Sequence, residues 1–249
     1  MKKFDYENKE YLEKLDELSE TYYSKYIAFI KKYLKGKDSS FLDIGCGNGK
    51  ILSLLFNERY KNGYGCDISK LFVNQAKKSG LKKVFYYDGK NFPFSKGQFD
   101  LIGSFNVLEH VQDPESFLIS QVNLLRKSGH IIVACPNFLS VLFRNNHRRI
   151  KGIRRKAINA QLIMRKLIIP SSSFEMMEPI IRKKFEYDDD AIVVTNIIDI
   201  RRILQRNNCK IIYESGFINY DTNLFKFINA IPFMKYLLPS CFVVAQKIK

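Results

Sequence analysis

The stretch FLDIGCGNGK, residues 41–50, constrains the fold of this chain more than any other part of its sequence. A short apolar run ends at Ile44, and Gly45, Gly47 and Gly49 follow at alternate positions before a helix-like segment begins. Such glycines let the backbone turn tightly and approach a ligand closely. A strand, a glycine-rich loop and a helix in this order are typical of cofactor sites in parallel sheets, where the start of the helix faces the ligand.

A second feature supports this interpretation, since a glycine-rich loop alone also occurs in ordinary turns. Residues 62–66 predict the next strand, which ends in Asp67. Folds of this kind place an acidic residue at this point, where its carboxylate accepts hydrogen bonds from both ribose hydroxyls of the ligand. The loop and the acid together predict a nucleotide-type cofactor site.

Apolar strands alternate with helical patterns along most of the chain. Strands are predicted at 41–44, 62–66, 83–87, 100–104, 130–134, 210–214 and 241–245, and helices near 4–34, 49–58, 69–79, 115–126 and 196–206. Ser69 and Thr195 are predicted N-caps, Asp113-Pro114 is a helix start, and Gly129 is expected to end the helix before it in a left-handed turn. The alternation predicts an α/β fold with seven strands and helices on both faces of the sheet.

The length of 249 residues fits a single α/β domain over 1–249. Residues 1–35 are predicted to form a helical cover, and residues 138–194 interrupt the core pattern as a basic helical insertion or lid over the acceptor site. The charged amino terminus does not resemble a signal peptide, and charges and prolines interrupt the one apolar segment near the carboxy terminus. Five cysteines without paired spacing favour reduced thiols. We therefore expect a cytoplasmic protein.

Positive charge is concentrated in the insertion. The net charge is +16, and the segment from Phe138 to Pro170 contains nine Lys or Arg residues and no Asp or Glu. Such a segment indicates an anionic partner or surface.

The chain resembles class I S-adenosylmethionine-dependent methyltransferases, and within them the branch of ubiquinone-pathway O-methyltransferases. The resemblance rests on the glycine loop with Asp67 and on three further stretches: YYDGKNFPF (86–94), QFDLIGSFNVLEHVQDP (98–114) and LLRKSGHIIVACPN (124–137). It implies a Rossmann-like doubly wound sheet in the order 3-2-1-4-5-7-6, with the last strand antiparallel. It also implies S-adenosylmethionine as cofactor.

The resemblance assigns a cofactor role to specific residues. The methionine part would be held by Gly45, Gly47 and Gly49 of the loop with help from Asp43, the ribose by Asp67, and the adenine by Ile68, Asp88 and Gly89. Phe105 would lie by the methionine end, and Lys25 would grip the cofactor carboxylate.

His110 is the candidate general base, because a hydroxyl acceptor must lose a proton and this histidine lies inside a core motif beside Glu109. A helix-start pair that merely orders the loop is the alternative. The quinone-pathway relatives have a glutamate where this chain has Asn106, and that motif is associated with a divalent metal. One fewer carboxylate weakens a site for a hard cation, so no metal site is predicted.

The basic insertion contains an amphipathic pattern between residues 144 and 168. Apolar residues recur at spacings of three and four, and cationic residues lie between them: Ile150, Ile153, Ala157, Ala160, Met164 and Leu167, with Arg148, Arg149, Lys151, Arg154, Arg155 and Lys156. Such a helix can lie on an anionic membrane at its inner face, or it can pack its apolar stripe on the sheet. Nucleic acid is the less favoured partner, because residues 144–173 contain no aromatic side chain on which bases could stack.

The acidic run that contains Glu186 and Asp188–Asp190 is interpreted as a solvated loop, with an amine or sugar-hydroxyl site as the alternative. The sequence thus predicts methyl transfer to oxygen on a small or lipid-linked acceptor, such as a quinone precursor or a glycan lipid. A wobble-uridine tRNA methyltransferase and a non-catalytic S-adenosylmethionine-binding module remain as alternatives.

Overall fold

The computed structural model describes residues 6–7, 18–142, 152–169, 173–180, 188–216, 227–228, 230–231 and 233–248. Its helices are α1 (Glu20–Tyr33), α2 (Lys50–Asn57), α3 (Lys70–Lys78), α4 (Pro114–Leu124), α5 (Ile153–Ile168), α6 (Ile197–Arg206) and α7 (Met234–Leu237), with a 3₁₀ turn at Leu108–His110. Its strands are β1 (Phe41–Ile44), β2 (Gly63–Asp67), β3 (Val84–Tyr86), β4 (Phe99–Phe105), β5 (Leu125–Pro136), β6 (Glu175–Met176), β7 (Val193–Val194), β8 (Cys209–Ser215) and β9 (Ser240–Lys247).

Seven strands form one sheet in the order β3-β2-β1-β4-β5-β9-β8. β1 runs parallel to β2 and β4, β2 runs parallel to β3, and the last strand of the chain is antiparallel. This order confirms the predicted doubly wound sheet, in which β8 and β9 are the sixth and seventh strands. β6 and β7 pair antiparallel in a separate small sheet that the sequence did not predict.

The chain divides into two compact units. The loop unit comprises Lys3–Phe105, Ser120–Ile132 and Gln246–Lys249, and the insertion unit comprises Met1–Lys2, Asn106–Ile119 and Val133–Ala245. In the loop unit, every residue of β1 is buried, as expected for a central parallel strand covered on both faces. The one ionisable member of that strand, Asp43, is therefore an exception that points to a role beyond packing.

Two predicted helix boundaries hold and two are wrong. The hydroxyl of Ser69 accepts a hydrogen bond from the Phe72 amide and caps α3, and α4 begins at Pro114. Thr195 does not cap α6, because its hydroxyl donates to the Pro136 carbonyl at 2.6 Å; the cap is Asn196, which accepts from the Asp199 amide.

Gly129 does not end a helix. α4 stops at Leu124, and the chain passes directly into β5, so that Gly129 lies inside that strand. The residue with positive φ is its neighbour Ser128, at 63°. A Cβ atom on Gly129 would lie 2.9 Å from the Arg126 carbonyl oxygen, so close backbone approach explains this glycine.

In the amino-terminal segment, only α1 is helical among the described residues, since the Tyr6–Glu7 and Leu18–Ser19 backbones are not helical. Residues 4–5 and 8–17 of the predicted helix lie outside the described residues, and the cover formed by residues 1–35 stays a prediction. All five cysteines are described and buried, and none forms a disulfide. In the part of the chain that the structure describes, no helix is both long and apolar enough to cross a membrane.

α5 does not pack through its apolar stripe, as the alternative of a helix packed on the sheet requires, but through the opposite face. Its inward residues are Arg155, Asn159, Ile163 and Lys166, three of which are polar or charged. The predicted apolar stripe instead faces solvent from Ile153 to Met164. Arg155 also belongs to the buried face and not to a solvated cationic one, whereas residues 143–151 lie outside the described part of the chain.

Candidate functional site

The loop after β1 needs glycine at each of its three glycine positions. Gly45, Gly47 and Gly49 have φ values of 70°, 53° and 81°, in the left-handed region that other residues adopt only with strain. Gly49 also immediately precedes α2, and a Cβ there would lie 2.3 Å from Leu81 Cδ1. The loop therefore brings its backbone against the start of a helix, as a cofactor cradle requires.

The carboxylate of Asp67 closes this loop. It accepts hydrogen bonds from the Gly47 amide at 2.8 Å and from the Ser69 amide at 2.9 Å. Burial raises the pKa of Asp67 to about 6, although both amide donors act in the opposite direction. The carboxylate accepts from backbone amides at the end of β2. The sequence predicts the ribose hydroxyls at this position.

Asp43 lies in the same unit and is also buried. Burial, and then the charge of Asp67, raise the pKa of Asp43 well above its usual value. Two buried carboxyl groups beside one glycine loop are expensive to maintain without a function. The amides of Gly45 and Cys46 donate to the Cys66 carbonyl, so these two amides stabilise the loop itself.

The predicted adenine residues are adjacent in the loop unit. Ile68 is exposed, and a Cβ on Gly89, whose φ is 80°, would lie 3.8 Å from its Cγ2 atom. Asp88 Oδ1 accepts from the Lys90 and Asn91 amides at 2.8 and 2.9 Å, and these bonds lower the pKa of the carboxyl group. An apolar side chain beside a glycine and an ionised acid can pack on an adenine ring and meet its amino edge.

Phe105 ends β4 with its ring folded back along the strand. A Cβ on Gly103 would lie 2.5 Å from the Phe105 ring, so glycine is needed for this ring position. The Phe105 ring also packs against Tyr26 of α1, with the ring centroids 4.5 Å apart. Lys25 Nζ lies 4.3 Å from the Tyr22 ring centroid, and burial lowers the pKa of this lysine to about 8.

Asn106 follows β4 with a φ of 56°, and its amide donates to the Ala134 carbonyl at 2.7 Å. Asn adopts this left-handed conformation more readily than Glu, which gives a structural reason for Asn at the position where the metal-associated relatives carry a carboxylate. Among the described residues, no group of three His, Cys, Asp or Glu side chains is arranged to hold a metal ion.

Glu109 and His110 form a polar cluster in the insertion unit with the acidic run. His110 Nδ1 lies 3.4 Å from Asp190 Oδ2, and His110 Nε2 lies 3.7 Å from Glu109 Oε1. Glu109 is 0% exposed, and burial raises its pKa well above the usual value. Its carbonyl accepts from the Ile192 amide at 2.8 Å, which ties the acidic run to the motif.

The interpretation of the acidic run as a solvated loop is wrong for its described residues. Asp189 and Asp190 are buried, and burial raises the pKa of Asp188 to about 6 while the charge of His110 opposes that shift. These acids lie far from His110 along the chain, so no local sequence pattern predicted that they would lie beside it. The remaining member, Glu186, lies outside the described residues.

The family described as Methyltransferase domain matches residues 42–133. The ubiquinone biosynthesis O-methyltransferase of Marinobacter nauticus is 31% identical over 39% of this chain and 43% of its own length. The tRNA U34 carboxymethyltransferase of Photobacterium profundum is 31% identical over 38% of this chain and 31% of its own length. This chain therefore spans less than half the length of both relatives.

A crystal structure of an S-adenosylmethionine-dependent methyltransferase from Mesorhizobium loti has the same fold. Its TM-score is 0.56 at 16% identity, with 84% of this chain and 91% of that chain covered. The sheet order and the glycine loop agree with the family match, and S-adenosylmethionine is the methyl donor of this class. Together these findings show that residues 42–133 match the methyltransferase domain family and that the chain has the fold of class I S-adenosylmethionine-dependent methyltransferases.

Proposed function

We propose that this protein transfers a methyl group from S-adenosylmethionine to an oxygen atom of a small or lipid-linked acceptor, with a quinone precursor or a glycan lipid as the expected classes. The observation that carries the proposal is the position of the His110 imidazole between the carboxyl groups of Glu109 and Asp190. A hydroxyl acceptor needs a base, whereas a neutral amine can attack a sulfonium methyl group before it loses a proton.

When bound, S-adenosylmethionine supplies an electrophilic methyl group on a sulfonium sulfur. The acceptor oxygen would take this methyl group from the sulfur, and the imidazole of His110 would accept the hydroxyl proton. The resulting imidazolium is stabilised by the carboxyl groups around it, because Asp190 lies beside Nδ1 and the charge of Asp188 also interacts with the ring. Positioning of the acceptor in a closed site supplies the rest of the rate.

Glu109 and Asp190 contribute differently to this cluster. Burial raises the pKa of Glu109 and so favours its uncharged form, and its backbone carbonyl helps to order the motif. Asp190 lies on the Nδ1 side of the ring at 3.4 Å, and we assign it as a positioning residue for the base. On the cofactor side, we assign Asp67 to the ribose and Lys25 to the methionine carboxylate.

The test is a pair of variants assayed with methyl-labelled S-adenosylmethionine. His110→Gln should lower turnover by about 100-fold or more, the usual contribution of a general base, and leave cofactor affinity within about twofold of wild type. Asp190→Asn should lower turnover by about tenfold and change its pH profile, because the ring loses a charged partner. His130→Gln is the matched control, since His130 belongs to the loop unit and packs there against Tyr33. Full turnover by His110→Gln would refute the base.

The acceptor class is tested by the location of the label in a host extract. Label in the lipid or small-molecule fraction supports the proposed acceptors. A tRNA methyltransferase is the second candidate, because the tRNA U34 carboxymethyltransferase matches a similar share of this chain and the insertion is strongly basic. Label in RNA would replace the first proposal with the second, and no label in any fraction would favour a binding module without turnover.

A further inference from the structure

The orientation of α5 is determined by polar contacts on its inward face. Asn159 Nδ2 donates to the Phe138 and Ser140 carbonyls at 3.3 and 3.0 Å. Two turns later, Lys166 Nζ donates to Asp199 Oδ2 at 2.7 Å and to the Ser173 carbonyl at 3.0 Å. The buried Asn159 amide and the buried Lys166 ammonium therefore fix the rotation of α5 about its axis. Turning either group away would leave its buried partners without a hydrogen bond.

With the inward face so determined, the apolar residues of α5 must face solvent. Ile153, Met164 and Ile168 are 87%, 56% and 73% exposed, and Ala157 and Ala160 between them are exposed as well. At 100° per residue, these five positions lie on one narrow face of the helix, opposite Asn159 and Lys166. We call them the outer stripe.

The outer stripe is bordered by cations. At the same angular spacing, Arg154 and Arg165 lie along one edge and Lys156 along the other, and all three are exposed. α5 contains no acidic residue. An aliphatic face between two cationic edges matches an interface that is apolar inside and negatively charged at its surface.

We propose that α5 lies flat on an anionic lipid bilayer, with the outer stripe inserted among the acyl chains and Arg154, Lys156 and Arg165 at the lipid headgroups. Charge complementarity selects this occupant. RNA would meet the cations but would leave the aliphatic stripe exposed, and α5 has no aromatic ring on which a base could stack. The proposal does not depend on the acceptor assigned above, because it requires only the surface of this helix.

The test is flotation of the full chain with vesicles at low and high salt. Vesicles of equal parts phosphatidylcholine and phosphatidylglycerol should bind the protein at low salt, and pure phosphatidylcholine vesicles should bind it far more weakly. Each cation near the membrane surface contributes about fivefold to binding. Arg154→Gln with Lys156→Gln should therefore weaken binding to anionic vesicles about 25-fold. Ile153→Ser with Met164→Ser and Ile168→Ser should weaken it on the order of a hundredfold.

Matched controls come from the loop unit. Lys77→Gln with Lys78→Gln removes two exposed cations from α3, and Phe56→Ser removes an exposed apolar side chain from α2. Both should leave vesicle binding unchanged. All replaced side chains are exposed, so circular dichroism and melting temperature should remain near wild type.

Four results would overturn the proposal. The first is no flotation with anionic vesicles at low salt. The second is equal loss of binding in the control variants, which would indicate general attraction of a basic protein. The third is tight binding of RNA that the cation variant abolishes and the serine variant leaves intact. A wild-type dimer in light scattering that the serine variant converts to monomer would likewise assign the stripe to a second copy of the chain.

Discussion

Gly49→Ala should be among the most damaging small changes in the loop unit, because it combines two separate penalties. The backbone of Gly49 has a φ of 81° and a ψ of 21°, so an alanine there would adopt a left-handed conformation. Its Cβ would also lie 2.3 Å from Leu81 Cδ1 and 3.2 Å from Ala76 Cβ. The leucine methyl can move by rotation, but the Ala76 methyl can move only with the backbone of α3.

The expected magnitude follows from these two contributions. Left-handed backbone at a residue other than glycine costs about 1–2 kcal/mol. Overpacking of a well-filled core costs about 1–3 kcal/mol. We therefore expect Gly49→Ala to lower the free energy of unfolding by about 2–5 kcal/mol, and to weaken S-adenosylmethionine binding because the loop must shift.

Gly80→Ala is the matched control for the backbone contribution. Gly80 has a φ of 91°, and a Cβ there would meet no heavy atom within 4 Å. It should lower the free energy of unfolding by only about 1–2 kcal/mol and leave cofactor affinity unchanged. Gly103→Ala isolates the packing contribution, because its φ is not positive and its Cβ would lie 2.5 Å from the Phe105 ring.

The assay is equilibrium urea unfolding of the three variants, with cofactor affinity from calorimetry. Comparable slopes against urea show that the midpoints report stability. If Gly49→Ala loses no more stability than Gly80→Ala and binds cofactor normally, the close packing of the loop against α3 is refuted.

The other predictions concern charge. Because burial raises the pKa of Asp67 to about 6, and the ribose hydroxyls need its ionised form, cofactor affinity should fall by about tenfold per pH unit below about pH 6. Calorimetry across pH measures this dependence. Asp67→Asn should bind S-adenosylmethionine weakly and independently of pH, whereas Asp88→Asn should keep the wild-type pH dependence. A wild-type affinity that does not change with pH would contradict the assignment of Asp67 to the ribose. Lys166→Met should destabilise the protein by about 3–5 kcal/mol, because it leaves the Asp199 carboxylate buried beside an apolar side chain. Lys166→Met with Asp199→Leu should recover most of that loss in urea unfolding, and equal stability of the two variants would contradict the buried pair.

Local sequence predicted the parts of the fold that depend on neighbouring residues. The apolar run at 41–44, the glycines at alternate positions and the capping hydroxyl of Ser69 act within a few residues, so their structures match the predicted strand, loop and helix start. Gly129 and Thr195 were misassigned because each is constrained by residues far away in sequence. A Cβ on Gly129 would lie 3.1 Å from the carbonyl oxygens of Phe99 and Asp100, and the Thr195 hydroxyl donates to the Pro136 carbonyl.

The same distinction separates the two parts of the candidate site. The glycine loop and Asp67 could be predicted because each directly follows or ends a predicted strand: the loop joins β1 to the next helix, and Asp67 ends β2. The approach of Asp190 to His110 could not be predicted, since it joins residues far apart in sequence through the bond between the Ile192 amide and the Glu109 carbonyl.

The sequence by itself determined the class of this protein: its largely parallel sheet, its glycine loop and the amphipathic pattern of its basic insertion. Periodicity states that a helix has an apolar face, but it does not state where that face points. Only the tertiary structure decided that Asn159 and Lys166 are buried and that the apolar stripe of α5 faces outward. The physical reason is that buried polar groups need partners, and theirs come from segments that only the folded chain brings together.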